Sequence, residues 1–168
     1  MRYAAFFVLL HRYVLMQPLT LPPFDARLKQ QQGKTMILDM LRRKYVALTP
    51  EEWVRQHFVH YLMEHLGYPQ SLLANEVELR IGEKKLRCDT ILYSRSLKPL
   101  AIIEYKAPHI ALQQKVLQQI AAYNILLHVD YLMISNGVQH YCCQMDYEHR
   151  TYHFLDCIPP YAQMFQDS

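Results

Sequence analysis

Three side chains near the middle of the chain could do chemistry together. Asp89 lies in the apolar stretch KLRCDTILY (85–93), and Glu104 and Lys106 close the stretch LAIIEYKAP (100–108). Both stretches read as strands. Side chains two apart on a strand share a face, so Ile102, Glu104 and Lys106 point one way and Ile103 and Tyr105 the other. Glu104 and Lys106 are then neighbours at the end of a strand whose start is wholly apolar. Charges buried there must be paired or metal-bound, because an uncompensated one costs several kcal/mol. An ExK by itself also suits a plain ion pair at a strand end. Asp89 adds the second carboxylate. The loop 94–99 is short enough to make its strand the neighbour of 100–106. A carboxylate on each strand makes a hard-oxygen site for Mg2+ or Mn2+, with waters completing the shell. A lysine beside it can orient a water or stabilise charge building on a phosphoryl group. The chemistry this set suits is metal-assisted phosphodiester hydrolysis: the metal lowers the pKa of a water and clamps phosphate oxygens.

The flanking sequence supplies elements to hold these groups. TPEE (49–52) is a helix start, with Thr49 as N-cap, Pro50 at the first helical position and Glu52 three residues after the cap. Val54, Phe58, Tyr61 and Leu62 follow at helical spacing, and Gly67-Tyr68-Pro69 ends the helix. Residues 75–81 alternate, with Val77, Leu79 and Ile81 on one face; Gly82-Glu83-Lys84 turns the chain, and 85–93 returns antiparallel. The third strand spans 100–106 and stops at Pro108. A helix over 111–128 precedes YLMIS (131–135). Asn136-Gly137 is a type I′ hairpin pair leading into VQHYCCQM (138–145), and a last strand covers 150–155. A helix between the third and fourth strands makes a right-handed crossover, so those two should be parallel. The expectation is an α/β fold in helix-strand-strand-strand-helix-strand order, with a mixed sheet flanked by helices.

The segment before Thr49 reads as a leader, 1–48. PLTLPPF (18–24) is extended by its prolines, and TMILDMLRRKY (35–45) reads as a short helix whose Arg42-Arg43-Lys44 run is a solvated face or a phosphate contact. Gly33-Lys34-Thr35 imitates the tail of a phosphate-binding P-loop, but the first glycine of that motif would fall on Leu28, so nucleotide binding is rejected there. Met16 opens an ordinary-looking start, and residues 1–15 read as an over-called one. The intact mass of protein made from its own gene tests this, and a mass that includes Met1 refutes it. The compact domain is placed at 49–158 and a tail at 159–168.

The totals bound the rest. A chain of 168 residues, 51% apolar, fits one core. The net charge of +3 permits a polyanionic partner without demanding one. The apolar run Ala4–Leu10 is far too short to span a bilayer, so no membrane role and a cytoplasmic location are expected. Cys88, Cys142, Cys143 and Cys157 form no CxxC pair and read as reduced thiols. His57, His60 and His65 share a helix without an HExxH pattern, which argues against zinc.

Asp89 followed by Glu104-Tyr105-Lys106 on the next strand resembles the PD-(D/E)XK nuclease superfamily. Gln119 and Tyr123 in QQIAAY add a QxxxY helix, similar to the RecB-like branch. TPEEWVRQ, the GYP helix end, RCDT, EYKAP and SNG resemble the N-terminal nuclease domain of type I restriction enzyme R subunits, over 49–155. The resemblance implies a restriction-endonuclease-like core and a DNA endonuclease. Asp89, Glu104 and the Tyr105 carbonyl would hold Mg2+ or Mn2+, Lys106 would be the catalytic lysine, and Gln119 and Tyr123 would position the site or the DNA backbone. Members also bring an acid from the first helix. Glu51 is favoured over Glu52, because it lies on the Val54–Phe58 stripe while Glu52 closes the capping box. Cys88 stands where the superfamily name has proline. Lys84, Lys85 and Arg87 at the first hairpin are candidate DNA contacts, or simply a solvated turn. The R subunits it resembles carry a translocating motor. No Walker motif occurs in these residues, so a nuclease here would cut alone or with a separate motor or specificity subunit, and two cuts in a duplex would suit a homodimer. The competing readings are a non-catalytic domain that binds nucleic acid or docks a partner, and an interaction module whose ExK is only an ion pair.

Overall fold

The structure, a computed structural model, describes residues 18–113, 121, 124 and 127–164, with the backbone alone at Ile81 and Lys84. Gln119, Tyr123 and residues 1–15 lie outside the described residues, as does most of the expected helix 111–128. Ala121, Asn124 and Leu127 are helical, whereas 111–113 are not.

Thr49 caps helix α1 (Pro50–His65): its side chain accepts a hydrogen bond of 3.0 Å from the Glu52 N–H. At the far end Gly67 takes φ +72 and the Tyr68 N–H reaches back to the Leu62 carbonyl at 3.0 Å. Strands β4 (Leu73–Ile81), β5 (Lys84–Tyr93), β6 (Pro99–Tyr105), β7 (Tyr131–Ser135), β8 (His140–Asp146) and β9 (Thr151–Leu155) form one sheet in sequence order. β6 and β7 are parallel and the other neighbours antiparallel, so the mixed α/β sheet is as expected. One face packs on α1 through Ile103, Tyr105, Met133, Val54, Phe58 and Leu62. The other buries Ile91, Ile102, Leu132 and Ile134 against Ala121 and Leu127. Burial on both faces explains why β6 and β7 are near-continuous apolar runs.

The segment ahead of α1 departs from expectation. Residues 35–45 are not a helix. A three-stranded antiparallel sheet runs through β1 (Leu28–Gln31), β2 (Lys34–Asp39) and β3 (Lys44–Ala47). Gln32 (φ +50) and Gly33 (φ +73) make the first hairpin, both in the left-handed region that a two-residue turn requires. The Asp39 carboxylate then accepts from the N–H groups of Leu41 and Arg42, each at 2.9 Å. Such local bonds compete with a helical ladder, and with β-branched Thr35, Ile37 and Val46 they outweigh the apolar spacing. This segment also packs on the domain. Leu21 is in the core, the Thr20 N–H bonds the Gly137 carbonyl at 2.9 Å, and Phe24 stacks on His60 with ring centroids 4.0 Å apart. At the opposite end of the chain Ile158 and Met164 are buried. The β7–β8 connection also differs. It is four residues, 136–139, and Asn136 Oδ1 caps it by accepting from the Val138 and Gln139 N–H groups, so it is not a two-residue type I′ turn. Among the described residues no helix is long and apolar enough to cross a membrane.

Candidate active site

The β5–β6 register pairs Thr90 with Ile103, so the next step brings Asp89 level with Glu104. The two carboxylates therefore come from adjacent strands at the end where β6 leaves the core. Asp89 is fixed on both oxygens: Oδ1 accepts from Arg55 Nη2 at 2.8 Å and Oδ2 from the Tyr105 N–H at 2.9 Å. Glu104 is different. Its Oε1 is buried without a hydrogen-bond partner among the described residues. Burial, and then the Asp89 charge, push its carboxyl up to about 8, with Lys106 pulling the other way. Lys106 lies one residue beyond the end of β6, half-buried, and its backbone N–H donates to the Ser135 carbonyl at 2.9 Å.

Behind Asp89 lies a buried polar network. Arg55, on α1, donates from Nη1 to Glu52 Oε2 at 2.8 Å and from Nη2 to Glu76 Oε1 at 2.7 Å as well as to Asp89. Its guanidinium also lies over the Tyr105 ring, 5.6 Å from the centroid. Burial opposes the arginine's charge, but Glu52, Asp89 and Glu76 together raise its pKa. Glu76, with φ +55, also pairs with Arg87; burial raises its carboxyl, and Arg55 and Arg87 outweigh that and hold it low. Arg42 joins Glu52 (3.0 Å) to Asp39. Asp39 accepts from Asn75 at 2.9 Å, Asn75 from Thr90 at 2.6 Å, and Thr90 from the Tyr105 hydroxyl at 3.1 Å. A continuous chain of side chains so links β2, α1, β4, β5 and β6.

The helix acid corrects the expectation. Glu51 is exposed, and Glu52 is the acid α1 turns inward, bound by Arg42, Arg55 and Gln56. The stripe argument failed because residues 52–59 are buried all round: the leader covers Trp53 and His57 on the side that would otherwise face water. Arg55, Glu76, Asn75 and Asp39 were missed. The available signal was an arginine three residues after Glu52, inside an otherwise buried helix. Of the hairpin cations, Lys85 is exposed and lies 3.4 Å from Glu78, and Arg87 is exposed and paired with Glu76. The side chain of Lys84 is outside the described set.

Among the described residues no three His, Cys, Asp or Glu side chains converge as a ready cage. The donors do fit an ion that keeps most of its waters. Two carboxylates stand side by side, one with an unpartnered buried oxygen, and the Tyr105 carbonyl is next in the chain.

The sequence model of one protein family, described as the type I restriction enzyme R protein N terminus, matches residues 50–159. No curated protein matches the chain. A solved structure, a fragment described as an HsdR subunit of a type I restriction enzyme from Vibrio vulnificus YJ016, superposes with a TM-score of 0.51 at 20% identity. The match covers 70% of this chain and 25% of that one, so the chain spans about a quarter of its length. The similarity lies in the fold.

Proposed function

We propose that this chain, which belongs to the family of type I restriction enzyme R protein N termini, is a metal-dependent nuclease domain that hydrolyses DNA phosphodiester bonds. The carrying observation is Glu104: half-buried beside Asp89, it has one buried oxygen without a hydrogen-bond partner among the described residues, at the end of the strand that leads into Lys106. Asp89, Glu104 and the Tyr105 carbonyl would hold Mg2+ or Mn2+, which when bound would acidify a water and neutralise phosphate charge. Asp89 arrives with its rotamer set by Arg55 and the Tyr105 N–H. Lys106 then provides the cation that orients the attacking water or meets the charge on the phosphoryl oxygens. Arg55 acts through Asp89, and Glu52 and Glu76 act through Arg55; these are positioning residues.

A second reading has its own support. Both Asp89 oxygens are already hydrogen-bonded, as they would be in a purely structural cluster, and that suits a domain that binds DNA or docks a partner without cutting. Cleavage of supercoiled plasmid by the purified chain separates the two, run with Mg2+, Mn2+ and chelator, with Lys106→Ala alongside. Metal-dependent nicking that vanishes in the variant supports the nuclease. Absence of nicking under every metal, while plasmid is still bound, favours the second reading.

A further inference from the structure

The three-stranded sheet takes no part in the chemistry above, yet it holds the most uneven charge in the molecule. Residues 27–44 carry Arg27, Lys29, Lys34, Arg42, Arg43 and Lys44 against one acid, Asp39. Six against one leaves +5, in a chain whose total is +3, so the remainder is net acidic. Asp39 is fully buried and bound to Arg42, so it does not offset the exposed cations.

The register sorts three of them onto one face and leaves Lys44, level with Asp39, on the other. Lys29 is level with Met36, Gln31 with Lys34, and Leu38 with Tyr45. The alternation therefore puts Lys29, Gln31, Lys34 and Tyr45 opposite the buried Ile37 and Asp39. Arg27 joins them: its carbonyl accepts from the Leu38 N–H at 2.9 Å, which continues the β1–β2 ladder by one step. Arg27, Lys29, Gln31 and Lys34 are exposed. Lys29 Nζ sits 4.2 Å from the centroid of the Tyr45 ring, a cation–π contact on this face, and the residue stays exposed. Asp39 and Arg42 tie the sheet to Asn75 and Glu52, and so to the elements that carry Asp89 and Glu104.

We propose that the outer face of β1–β3, centred on Arg27, Lys29 and Lys34, binds the phosphate backbone of duplex DNA and seats it at a fixed position relative to the Asp89–Glu104 site. The inference rests on the nuclease reading for the choice of DNA as the polyanion and for the site the DNA is seated against. Lysines and arginines on a sheet face contact phosphates, not base edges, so the surface positions the duplex and reads no sequence. It differs from the Lys84–Arg87 hairpin, whose described cations are already engaged with Glu78 and Glu76.

The test is fluorescence anisotropy of a labelled duplex with the full chain, in chelator so that no cleavage intervenes, over a series of potassium chloride concentrations. The triple variant Arg27→Gln/Lys29→Gln/Lys34→Gln is compared with wild type and with Lys85→Gln. The expected result is a loss of about tenfold or more in the triple variant, the same for unrelated sequences. The slope of log affinity against log salt falls by roughly 0.9 for each phosphate contact removed. All three side chains are exposed, so the melting temperature should not move, and Lys34→Gln alone gives a smaller loss in the same direction. Unchanged affinity in the triple variant overturns the proposal. So does a loss that follows Lys85→Gln instead, or binding of poly-glutamate in preference to DNA. Plasmid cleavage reports separately. Binding that depends on this face without nicking removes the nuclease reading and keeps this one, whereas nicking with unchanged affinity in the triple variant does the reverse.

Discussion

Replacing Glu104 by glutamine should make the metal-free protein more stable at high pH, the opposite of what removing a buried charged group usually does. Burial and the neighbouring Asp89 put the folded Glu104 pKa at about 8, above its ordinary 4.5, with Lys106 the opposing cation; the Cys88 thiol, itself pushed up to about 11, and the Tyr105 hydroxyl are further titratable neighbours. A carboxyl raised on folding contributes stability that is complete below 4.5 and is lost as pH rises through 8. At about 1.4 kcal/mol per pH unit, the wild type should lose at most about 3 kcal/mol between pH 5.5 and 8.5 through this group. Glutamine has the shape of the neutral acid and cannot ionise, so that slope disappears. Urea unfolding of both proteins in chelator, at pH 5.5, 7 and 8.5, measures the difference, and other titrations cancel in the comparison. The Glu104→Gln advantage should widen with each step up in pH. Parallel curves would show that Glu104 ionises freely in the fold, and the argument from its unpartnered oxygen would fail.

The same site gives two further expectations. Mg2+ or Mn2+ should raise the unfolding free energy by about 2.7 kcal/mol at a hundredfold excess over Kd, and Asp89→Asn should abolish the rise, with thermal melts at increasing metal as the readout; an equal shift in both proteins would place the ion elsewhere. Arg55→Met leaves Glu52, Glu76 and Asp89 without their shared cation and should destabilise by about 3–5 kcal/mol, seen as a lower urea midpoint; a loss below about 1 kcal/mol would mean that the carboxylates relax into solvent.

What could be read in advance was what depends on local pattern. The Thr49 cap, the β4–β5 alternation and the apolar run of β6 are each decided within a few residues, and a helical crossover dictates that β6 and β7 run parallel. The pair Asp89 and Glu104 was legible for the same reason: each is a carboxylate inside an apolar strand. What stayed hidden depended on distant contacts. Glu52 and Glu51 are adjacent, and only the arrival of Arg42 from the preceding sheet decides which turns inward. Asp39 fell inside the segment read as a short helix because its partner Asn75 meets it only after β2 and β4 come together.

The boundary placed at Thr49 should therefore fail as a boundary of stability. A chain that begins there lacks Leu21, whose burial stabilises by roughly 1.5–3 kcal/mol. It lacks Asp39, so the buried Asn75 loses the acceptor for its amide, at about 1–3 kcal/mol. It lacks Arg42, leaving Glu52 to Arg55 and Gln56 alone, and it uncovers Trp53 and His57 where Phe24 now lies. Together these losses approach the 5–15 kcal/mol that holds a domain of ordinary size folded. Urea unfolding of residues 18–168 and 49–168, followed by tryptophan fluorescence at Trp53, decides the matter. The longer chain should unfold cooperatively, and the shorter should have a much lower midpoint or no transition. Equal midpoints would mean that the network through Asp39 and Arg42 decorates a domain that holds its active-site carboxylates unaided.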